Sequence, residues 1–270
     1  MLKFIFQDIE INYKNTKHDD VLIGGRTIEV FEFEEKNNSV ISNPFELLFY
    51  STSVAFAMIK ISPANFFLKE LLYRSGFYYV TTTIDLYEVN IQTKRYPNPL
   101  GVQTFTREKK TYALKEIKKM MLNNFGHGKF FEDFNLKHLA FIRQEEVLNN
   151  LSNDSDVSFS LLYNVAGKIV GYFVHKSIDD FENLIFAGTN CHELYMGIGD
   201  DVWNSFHNFL QNEGIKKTKT LISLSNTGVL NIYSRLGYKF RRPREQYHFL
   251  SHETRNQLER KKMNSIFNSH

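Results

Sequence analysis

A glycine-containing turn in the second half of the chain has the composition of an anion-binding loop. Met196-Gly197-Ile198-Gly199 follows a predicted strand and precedes an amphipathic helix. Glycines let backbone N–H groups converge at a helix N-terminus, whose partial positive charge suits a pyrophosphate. A tight strand-to-helix connection explains the same turn equally well. The carboxylates of Asp200 and Asp201 would repel an anion unless they cap the helix and point away.

A second string, NTGVLNIYSRLGY at 226–238, is more restrictive. It places Asn226 at the start of a predicted helix, Tyr233 seven residues later, and then Leu-Gly-Tyr. Tyr233 shares a helical face with Val229 and Leu230. It is therefore either a core aromatic residue whose hydroxyl reaches a partner or part of a site.

These two strings, in this order and spacing, resemble the GNAT superfamily of acyltransferases. The family signature has Arg or Gln, two residues, Gly, one residue, and Gly or Ala. Here Gly197 and Gly199 match, whereas Leu194 stands in the Arg/Gln position. The downstream family element is matched by Asn226, Tyr233, Leu236, Gly237 and Tyr238.

The resemblance implies an acetyl-CoA-dependent N-acetyltransferase with no metal, in which Tyr233 is the general acid. A phenol with an unperturbed pKa of about 10 can protonate a departing thiolate, because the transfer is only mildly uphill. Backbone N–H groups near His192 to Leu194 are expected to bind the oxyanion. His192 and Glu193 are also candidate bases, with water as the alternative. The expected acetyl-CoA-binding residues are His192, Glu193, Leu194, Met196, Gly197, Ile198, Gly199, Asp200 and Asn226.

The layout of the whole chain resembles sugar N-acetyltransferases of the TDP-fucosamine acetyltransferase type. This narrower likeness implies a nucleotide-linked amino sugar as acceptor and a role in surface polysaccharide synthesis. An aromatic and basic loop at 126–134 would contact this acceptor, since an aromatic platform with a cation suits a nucleotide diphosphate sugar. Its candidate residues are His127, Lys129, Phe130 and Phe131, with Asp133 nearby. An ordinary surface loop is the alternative.

Apolar periodicity predicts the elements that would position these residues. Eight strands are expected, at 27–34, 54–61, 78–89, 157–165, 169–178, 183–190, 219–224 and 246–250. Helices are expected from Phe66 to Gly76, over 112–125 and 136–151, from Gly199 to Gly214, and over 227–236. The last strand, at 246–250, would complete the C-terminal domain.

The stretch 90–110, which contains two prolines and little periodicity, is predicted to be a linker. The strings at 68–80 and 229–242 share an order of helix, aromatic residue, glycine, aromatic residue and strand, with Leu72 opposite Tyr233. The fold class is therefore mixed α/β: a degenerate N-terminal GNAT-like domain at 1–95, a catalytic GNAT domain at 96–251, and a tail at 252–270 that is predicted to be helical.

Composition excludes several other classes. The net charge of +3 is spread along 270 residues, so no nucleic-acid partner is expected. No apolar segment reaches the roughly 20 residues that span a bilayer, so no membrane insertion is expected. One cysteine and no signal-peptide pattern predict a cytoplasmic protein. The polar tail is a candidate for self-association, so a homodimer stays open.

Two other functions are compatible with the sequence. One is a GNAT enzyme that acetylates another small-molecule amine or a protein amino group. The other is a non-catalytic acyl-CoA-binding module, which Leu194 and the aspartates after the glycine turn would favour.

Overall fold

The structure, a computed structural model, describes residues 2–6, 9–35, 43–89, 100–106, 109–124, 130–190 and 198–267. It forms two compact units. The first contains Met1–Thr83, Lys129–Arg143 and Pro243–His270, and the second contains Ile84–Gly128 and Gln144–Arg242.

Strands and helices are numbered in chain order. The strands are β1 (Leu2–Phe6), β2 (Ile9–Asn15), β3 (Arg26–Glu35), β4 (Val54–Ile61), β5 (Tyr78–Val89), β6 (Gly101–Phe105), β7 (Val157–Tyr163), β8 (Ile169–Ile178), β9 (Phe181–Thr189), β10 (Lys217–Ser223) and β11 (Lys239–Leu250). The helices are α1 (Lys17–Ile23), α2 (Pro44–Thr52), α3 (Phe66–Arg74), α4 (Lys110–Asn124), α5 (Ala140–Asn153), α6 (Gly199–Asn212), α7 (Thr227–Arg235) and α8 (His252–Phe267), with a 3-10 turn at Lys137–Leu139 before α5.

The first unit is built on strands in the order β1-β2-β3-β4-β11. Within it β3 and β4 are parallel, and the other neighbouring pairs are antiparallel. Helix α2 starts at Pro44, whose fixed φ suits the first helical turn. Phe45, Leu48 and Leu72 are fully buried in the core that α2 and α3 form with these strands.

The second unit has strands in the order β10-β9-β8-β7-β6, with β9 and β10 parallel. One core lies under α6 and α7, where the ring of Phe173 stacks on that of Phe206 at 3.9 Å between centroids. A second core contains Ile117 of α4 and Leu148 of α5. The sheet is thus covered on both faces, as a mixed α/β fold requires.

Most of the predicted elements are confirmed. Strand β4 and strand β5 have the predicted bounds, and α3 ends before Gly76, which adopts a left-handed φ of 79°. Gly214 and Gly237 do the same after α6 and α7, with φ of 83° and 88°. The tail is helical in its described part, as α8.

The linker prediction is wrong for 101–105. These residues form β6, which pairs antiparallel with β7 and sets Phe105 opposite Phe159. The strand GVQTF has only two apolar residues, so its alternation is too short to recognise. Residues 90–99, including the predicted domain boundary, lie outside the described residues.

The end of β11 groups with the first unit. Glu245 to Leu250 pair with β4 from Ile61 to Phe56 in an antiparallel ladder. Expected to complete the C-terminal domain, this strand instead extends the sheet of the first unit. Sequence periodicity identifies a strand, but the choice of neighbour depends on long-range pairing.

Candidate active site

Strands β9 and β10 of the second unit diverge along their length. Their parallel ladder has pairs only at Glu182 with Thr218, Asn183 with Lys219 and Leu184 with Thr220. Beyond these pairs β9 continues to Thr189 and β10 continues to Ser223 without pairing to each other. Within the described residues the β9–β10 ladder therefore ends at the pair of Leu184 with Thr220.

A β-bulge explains where the divergence starts. In the β8–β9 ladder, His175 pairs with Leu184 but Val174 pairs with Phe186, which leaves Ile185 as an extra residue. A bulge bends its strand and increases the local twist. It lies directly after the last β9–β10 pair, so β9 turns away from β10 at this point.

Helix α6 begins at Gly199, shortly after the divergent end of β9. A Cβ atom at Gly199 would lie 2.9 Å from Cδ1 of Ile232 in α7, so this glycine permits a close approach of the two helices. The first backbone N–H groups of α6 have no helical partner, and they make its N-terminus favourable for an anion.

Of the two acidic residues at the start of α6, Asp200 is paired with a cation. Asp200 Oδ1 accepts hydrogen bonds from Arg235 of α7, at 3.2 Å from Nε and 2.6 Å from the terminal nitrogen. This ion pair is about half exposed, so solvent screens it. Arg235 nevertheless offsets part of the negative charge that the sequence places beside the glycine turn.

Asn226 caps helix α7. Its side-chain oxygen accepts from the backbone N–H of Val229 at 3.3 Å, as expected for an N-cap residue. The cap fixes the start of the helix that carries Tyr233. Asn226 thus has a structural role whether or not it also contacts a ligand.

Tyr233 is 1% exposed and lies in the core under α6 and α7. Its ring meets that of Trp203 edge-to-face at 6.1 Å and that of Tyr238 at 4.5 Å. Trp203, the single tryptophan of the chain, is 2% exposed, and its indole N–H has no hydrogen-bond partner among the described residues. A buried donor without a partner costs roughly 1–3 kcal/mol, which a polar ligand or water could recover.

A hydrogen-bond chain fixes Tyr238, the last residue of the Leu-Gly-Tyr sequence. Nδ1 of His207 donates to the carbonyl oxygen of Trp203 at 2.6 Å, and burial lowers the pKa of His207 to about 4. The ring is therefore neutral near pH 7, and its Nε2 accepts from the Tyr238 hydroxyl at 2.6 Å. The Thr218 hydroxyl then donates to the oxygen of Tyr238 at 2.5 Å.

A second buried chain, which the sequence interpretation missed, crosses the sheet. Ser160 Oγ lies 2.9 Å from Nε2 of His175, whose Nδ1 lies 2.5 Å from Oε1 of Glu182. Ser177 donates to the other oxygen of Glu182 at 2.6 Å. The order of serine, histidine and carboxylate resembles a hydrolase triad. Ser160 is fully buried, so its hydroxyl cannot meet a substrate, and the chain is a polar layer that links three strands.

The sequence does carry a signal for this polar layer. His175 and Glu182 occupy adjacent strands on the face that also carries Leu184, and a polar residue at such an inward position needs a partner. Strand alternation alone does not say which partner it finds. Pairing register decides this.

Phe130 and Phe131 of the predicted acceptor loop lie in the first unit. Phe130 is 2% exposed, edge-to-face with Phe56 at 5.9 Å and under the guanidinium of Arg143 at 4.9 Å. Phe131 is 7% exposed and packs edge-to-face on Phe141 at 5.0 Å. Both rings are thus used in packing.

The remaining predicted site residues fall outside the described residues. They are His127, Lys129, His192, Glu193, Leu194, Met196 and Gly197. Of the predicted acetyl-CoA-binding set, the structure describes Ile198, Gly199 and Asp200 at the start of α6 and Asn226 at the start of α7. These two helix starts follow the two strands that diverge.

The fold is similar to that of solved acetyltransferases. A GCN5-related N-acetyltransferase from Sphaerobacter thermophilus has a TM-score of 0.58 and 13% identity over 90% of this chain and 76% of that chain. One from Kribbella flavida has a TM-score of 0.52 and 12% identity over 92% and 89%. A tandem GNAT protein from the clavulanic acid biosynthesis pathway has a TM-score of 0.51 and 10% identity over 83% and 75%.

No family model matches the chain, and no curated protein matches its sequence. The structural likeness confirms the predicted mixed α/β GNAT fold with two GNAT-like halves. Among the described helices, none is both long and apolar enough to cross a membrane. The described residues also contain no cluster of three or more His, Cys, Asp or Glu side chains suited to a metal ion.

Proposed function

We propose that the chain is an N-acyltransferase that uses acetyl-CoA, and that its acceptor is the amino group of a nucleotide-linked sugar. The divergence of β9 from β10 carries the first part of this proposal. The pantetheine arm of coenzyme A contains amide groups that need backbone partners. The ends of β9 and β10, which no longer pair with each other, offer backbone groups for such contacts.

The residues of the second unit suit the other parts of acetyl-CoA. The N-terminus of α6 suits the pyrophosphate, aided by the glycine turn at 196–199 and by Arg235, which compensates Asp200. In this proposal, backbone groups of His192, Glu193 and Leu194, which follow β9 in the sequence, contact the thioester. Leu194, in place of Arg or Gln, would remove one side-chain contact without altering these backbone contacts.

The proposed reaction is direct transfer. The neutral amine nitrogen attacks the thioester carbonyl carbon, a backbone N–H near His192 to Leu194 stabilises the oxyanion, and the C–S bond then breaks. The departing thiolate takes a proton from the hydroxyl of Tyr233, and the amine loses a proton to water or to Glu193 or His192. This role rests on the resemblance of the string at 226–238 to the tyrosine-containing element of the family.

Fewer residues support the proposed acceptor than support the proposed use of acetyl-CoA. Phe130 and Phe131 are already packed, so the acceptor contacts proposed from the loop at 126–134 rest on His127 and Lys129. A lysine and a histidine suit the diphosphate of a nucleotide sugar. Surface polysaccharide synthesis is the process in which such a sugar would be used.

The first test is binding of acetyl-CoA to the full chain. Trp203 is the single tryptophan and lies against Tyr233, so its fluorescence should change on titration with acetyl-CoA, with heat release in calorimetry as a second readout. Absence of any binding would remove the enzyme proposal. Binding without turnover on any amine would favour a non-catalytic acyl-CoA-binding module.

The second test is turnover, followed by release of free thiol. Nucleotide-linked amino sugars, simple amines and peptide amines are compared as acceptors. We expect Tyr233→Phe to lower kcat by more than about tenfold with little change in acetyl-CoA affinity, because the hydroxyl acts in the transition state. Tyr50→Phe, at an exposed tyrosine of the first unit, is the matched control. A smaller loss would remove Tyr233 from the acid role.

A further inference from the structure

A cavity in the first unit has no part in the proposed acyl transfer. It has a volume of about 110 Å³ and lies between helix α8 and the segment around Phe134 and His138. Arg255, Glu259 and Lys262 line it from α8, at the i, i+4 and i+7 positions of one helical face. A single water needs roughly 10–15 Å³ of such space, so the cavity has room for a group of several non-hydrogen atoms.

Arg255 is a lining residue that would favour an anion in this cavity. Its Nε atom is buried and has no hydrogen-bond partner among the described residues. No ion pair of Arg255 occurs within the same residues. The residue as a whole is partly exposed, and the planar fork of an arginine matches carboxylate and phosphate oxygens.

The nearby buried carboxylate of the same unit is already occupied. Asp133 accepts from Nδ1 of His248 at 2.5 Å and from the Tyr78 hydroxyl at 2.9 Å through one oxygen, and from the backbone N–H of Asn135 at 2.8 Å through the other. The two oxygens of Asp133 therefore have little capacity left to accept hydrogen bonds from Arg255. Burial and the charge of Asp133 raise the pKa of Tyr78, so this hydroxyl stays protonated and continues to donate.

The other side of the cavity is also positive. Lys262 lies at its edge with Nζ 5.1 Å from the centre of the Phe134 ring. The pKa of His138 is lowered, first by burial and then by the charge of Lys262. Glu259 is the one carboxylate among the lining residues.

We propose that this cavity binds a phosphate-type oxyanion, either free phosphate or the phosphate group of a small monoester. Arg255 provides the fork that holds two oxygens, and Lys262 provides the second positive charge that a dianion requires. Phe134, which is 83% exposed, forms an apolar rim beside which the organic part of an ester would lie. The proposal is independent of acetyl-CoA, since every lining residue belongs to the first unit.

The test is thermal unfolding of the full chain as inorganic phosphate is titrated against sodium chloride of equal ionic strength. We expect phosphate to raise the Tm by roughly 2 to 4 °C, the shift that about 1 kcal/mol of binding produces in a chain of this size. Glycerol phosphate and acetate serve as parallel arms. A larger effect of glycerol phosphate than of phosphate identifies a monoester as ligand, and an equal effect of acetate would overturn the preference for phosphate.

Two substitutions distinguish this cavity from any other anion site. Arg255→Gln should abolish the phosphate shift yet leave the Tm without phosphate nearly unchanged, because Arg255 makes no ion pair among the described residues. Glu259→Gln should strengthen the shift, because it removes a negative charge from the cavity. Arg260→Gln, at an exposed arginine of the same helix, should behave as wild type.

Two outcomes would overturn the proposal. One is a phosphate shift that survives Arg255→Gln unchanged, which would place phosphate elsewhere, for example at the start of α6. The other is the absence of any shift together with equal destabilisation by Arg255→Gln and Glu259→Gln, which would mean that these two side chains pair with each other in solution.

Discussion

His207 shows how a single buried side chain couples a motif residue to pH. Its ring holds the Tyr238 hydroxyl, and that hydroxyl in turn accepts from Thr218 on β10. Tyr238 thereby anchors the start of β11 to β10 beside Tyr233. The aromatic residue of the Leu-Gly-Tyr sequence thus positions its neighbours through its hydroxyl as well as its ring.

The lowered pKa of His207 predicts a loss of stability in acid. The pKa is about 4 in the folded chain because the ring is buried, against 6.5 when the ring is in water. Between these values the unfolded chain binds more protons, so the free energy of unfolding falls as the pH falls, by about 3 kcal/mol in total. The stability is fully present above about pH 6.5 and is lost as the pH approaches 4.

The measurement is urea unfolding at several pH values from 7 to 4.5. Other groups also titrate in this range, so the relevant quantity is the difference between wild type and His207→Gln. We expect the variant to be less stable at pH 7 but to lose about 2 kcal/mol less on acidification. His252→Gln, at an exposed histidine, should retain the wild-type dependence. Parallel curves for wild type and His207→Gln would contradict the assignment.

At the scale of elements, the contact between α6 and α7 depends on one glycine. A Cβ at Gly199 would approach Cδ1 of Ile232 to 2.9 Å, so Gly199→Ala should force the end of the Ile232 side chain to shift. We expect destabilisation of about 1 kcal/mol, at the low end for overpacking because the obstructing atom ends a flexible side chain, and slightly weaker acetyl-CoA binding. Ile232→Val removes the obstructing Cδ1 and should restore most of both losses in the double variant.

The control for this prediction is a second glycine at a helix start. Gly228 in α7 has nothing within 4 Å of its added Cβ, so Gly228→Ala should be neutral or slightly stabilising through helix propensity. Thermal unfolding and acetyl-CoA titration of the four variants provide the comparison. If Gly199→Ala behaves like Gly228→Ala, steric contact with Ile232 is not the reason for the glycine.

The β-bulge is the other element-scale feature, and it occurs in both units. In the first unit Tyr13 pairs with Val30 but Asn12 pairs with Glu32, which leaves Phe31 extra on β3. In the second unit the extra residue is Ile185 on β9. Each bulge directly follows the last parallel pair with the next strand, Val30 with Ile59 and Leu184 with Thr220. The same local distortion thus separates two strands in each unit.

At the scale of the whole molecule, the units share an order of elements but differ in what lies beside the divergent strands. Counted from the last parallel pair, Phe33 of the first unit corresponds to Ala187 of the second. Phe33 stacks on Phe45 at 5.7 Å, in the first turn of α2. That turn begins with Pro44, which has no backbone N–H to offer an anion. At this position the first unit therefore has a large packed side chain and one backbone donor fewer at the helix start.

This difference predicts one acetyl-CoA site per chain. Calorimetry should give a stoichiometry of one, Phe33→Ala should leave the acetyl-CoA affinity unchanged, and Ala187→Phe should weaken it by at least about tenfold, or 1.4 kcal/mol. The two variants exchange the residue types at corresponding positions, and near-UV circular dichroism checks that each one folds. A stoichiometry of two, or equal effects of both variants, would disprove the assignment of the site to the second unit alone.

The sequence by itself determined the elements that local chemistry specifies. Gly76, Gly214 and Gly237 stop helices because only a residue without a Cβ adopts their left-handed φ at low cost, and Asn226 starts one by capping it. These signals act within a few residues, so the order of strands and helices from α4 to α7 could be read directly. The glycine turn and Tyr233 were also found this way, as candidates.

Only the tertiary structure decided which strands pair and which polar groups meet. The route of Glu245 to Leu250 along β4, the strand at 101–105, and the meeting of His175 with Glu182 all depend on register between distant segments. The unpartnered Nε of Arg255 could not be predicted either, because nothing in the polar sequence of α8 distinguishes Arg255 from Arg260. Long-range pairing selects among many locally equivalent arrangements, and no local pattern contains that choice.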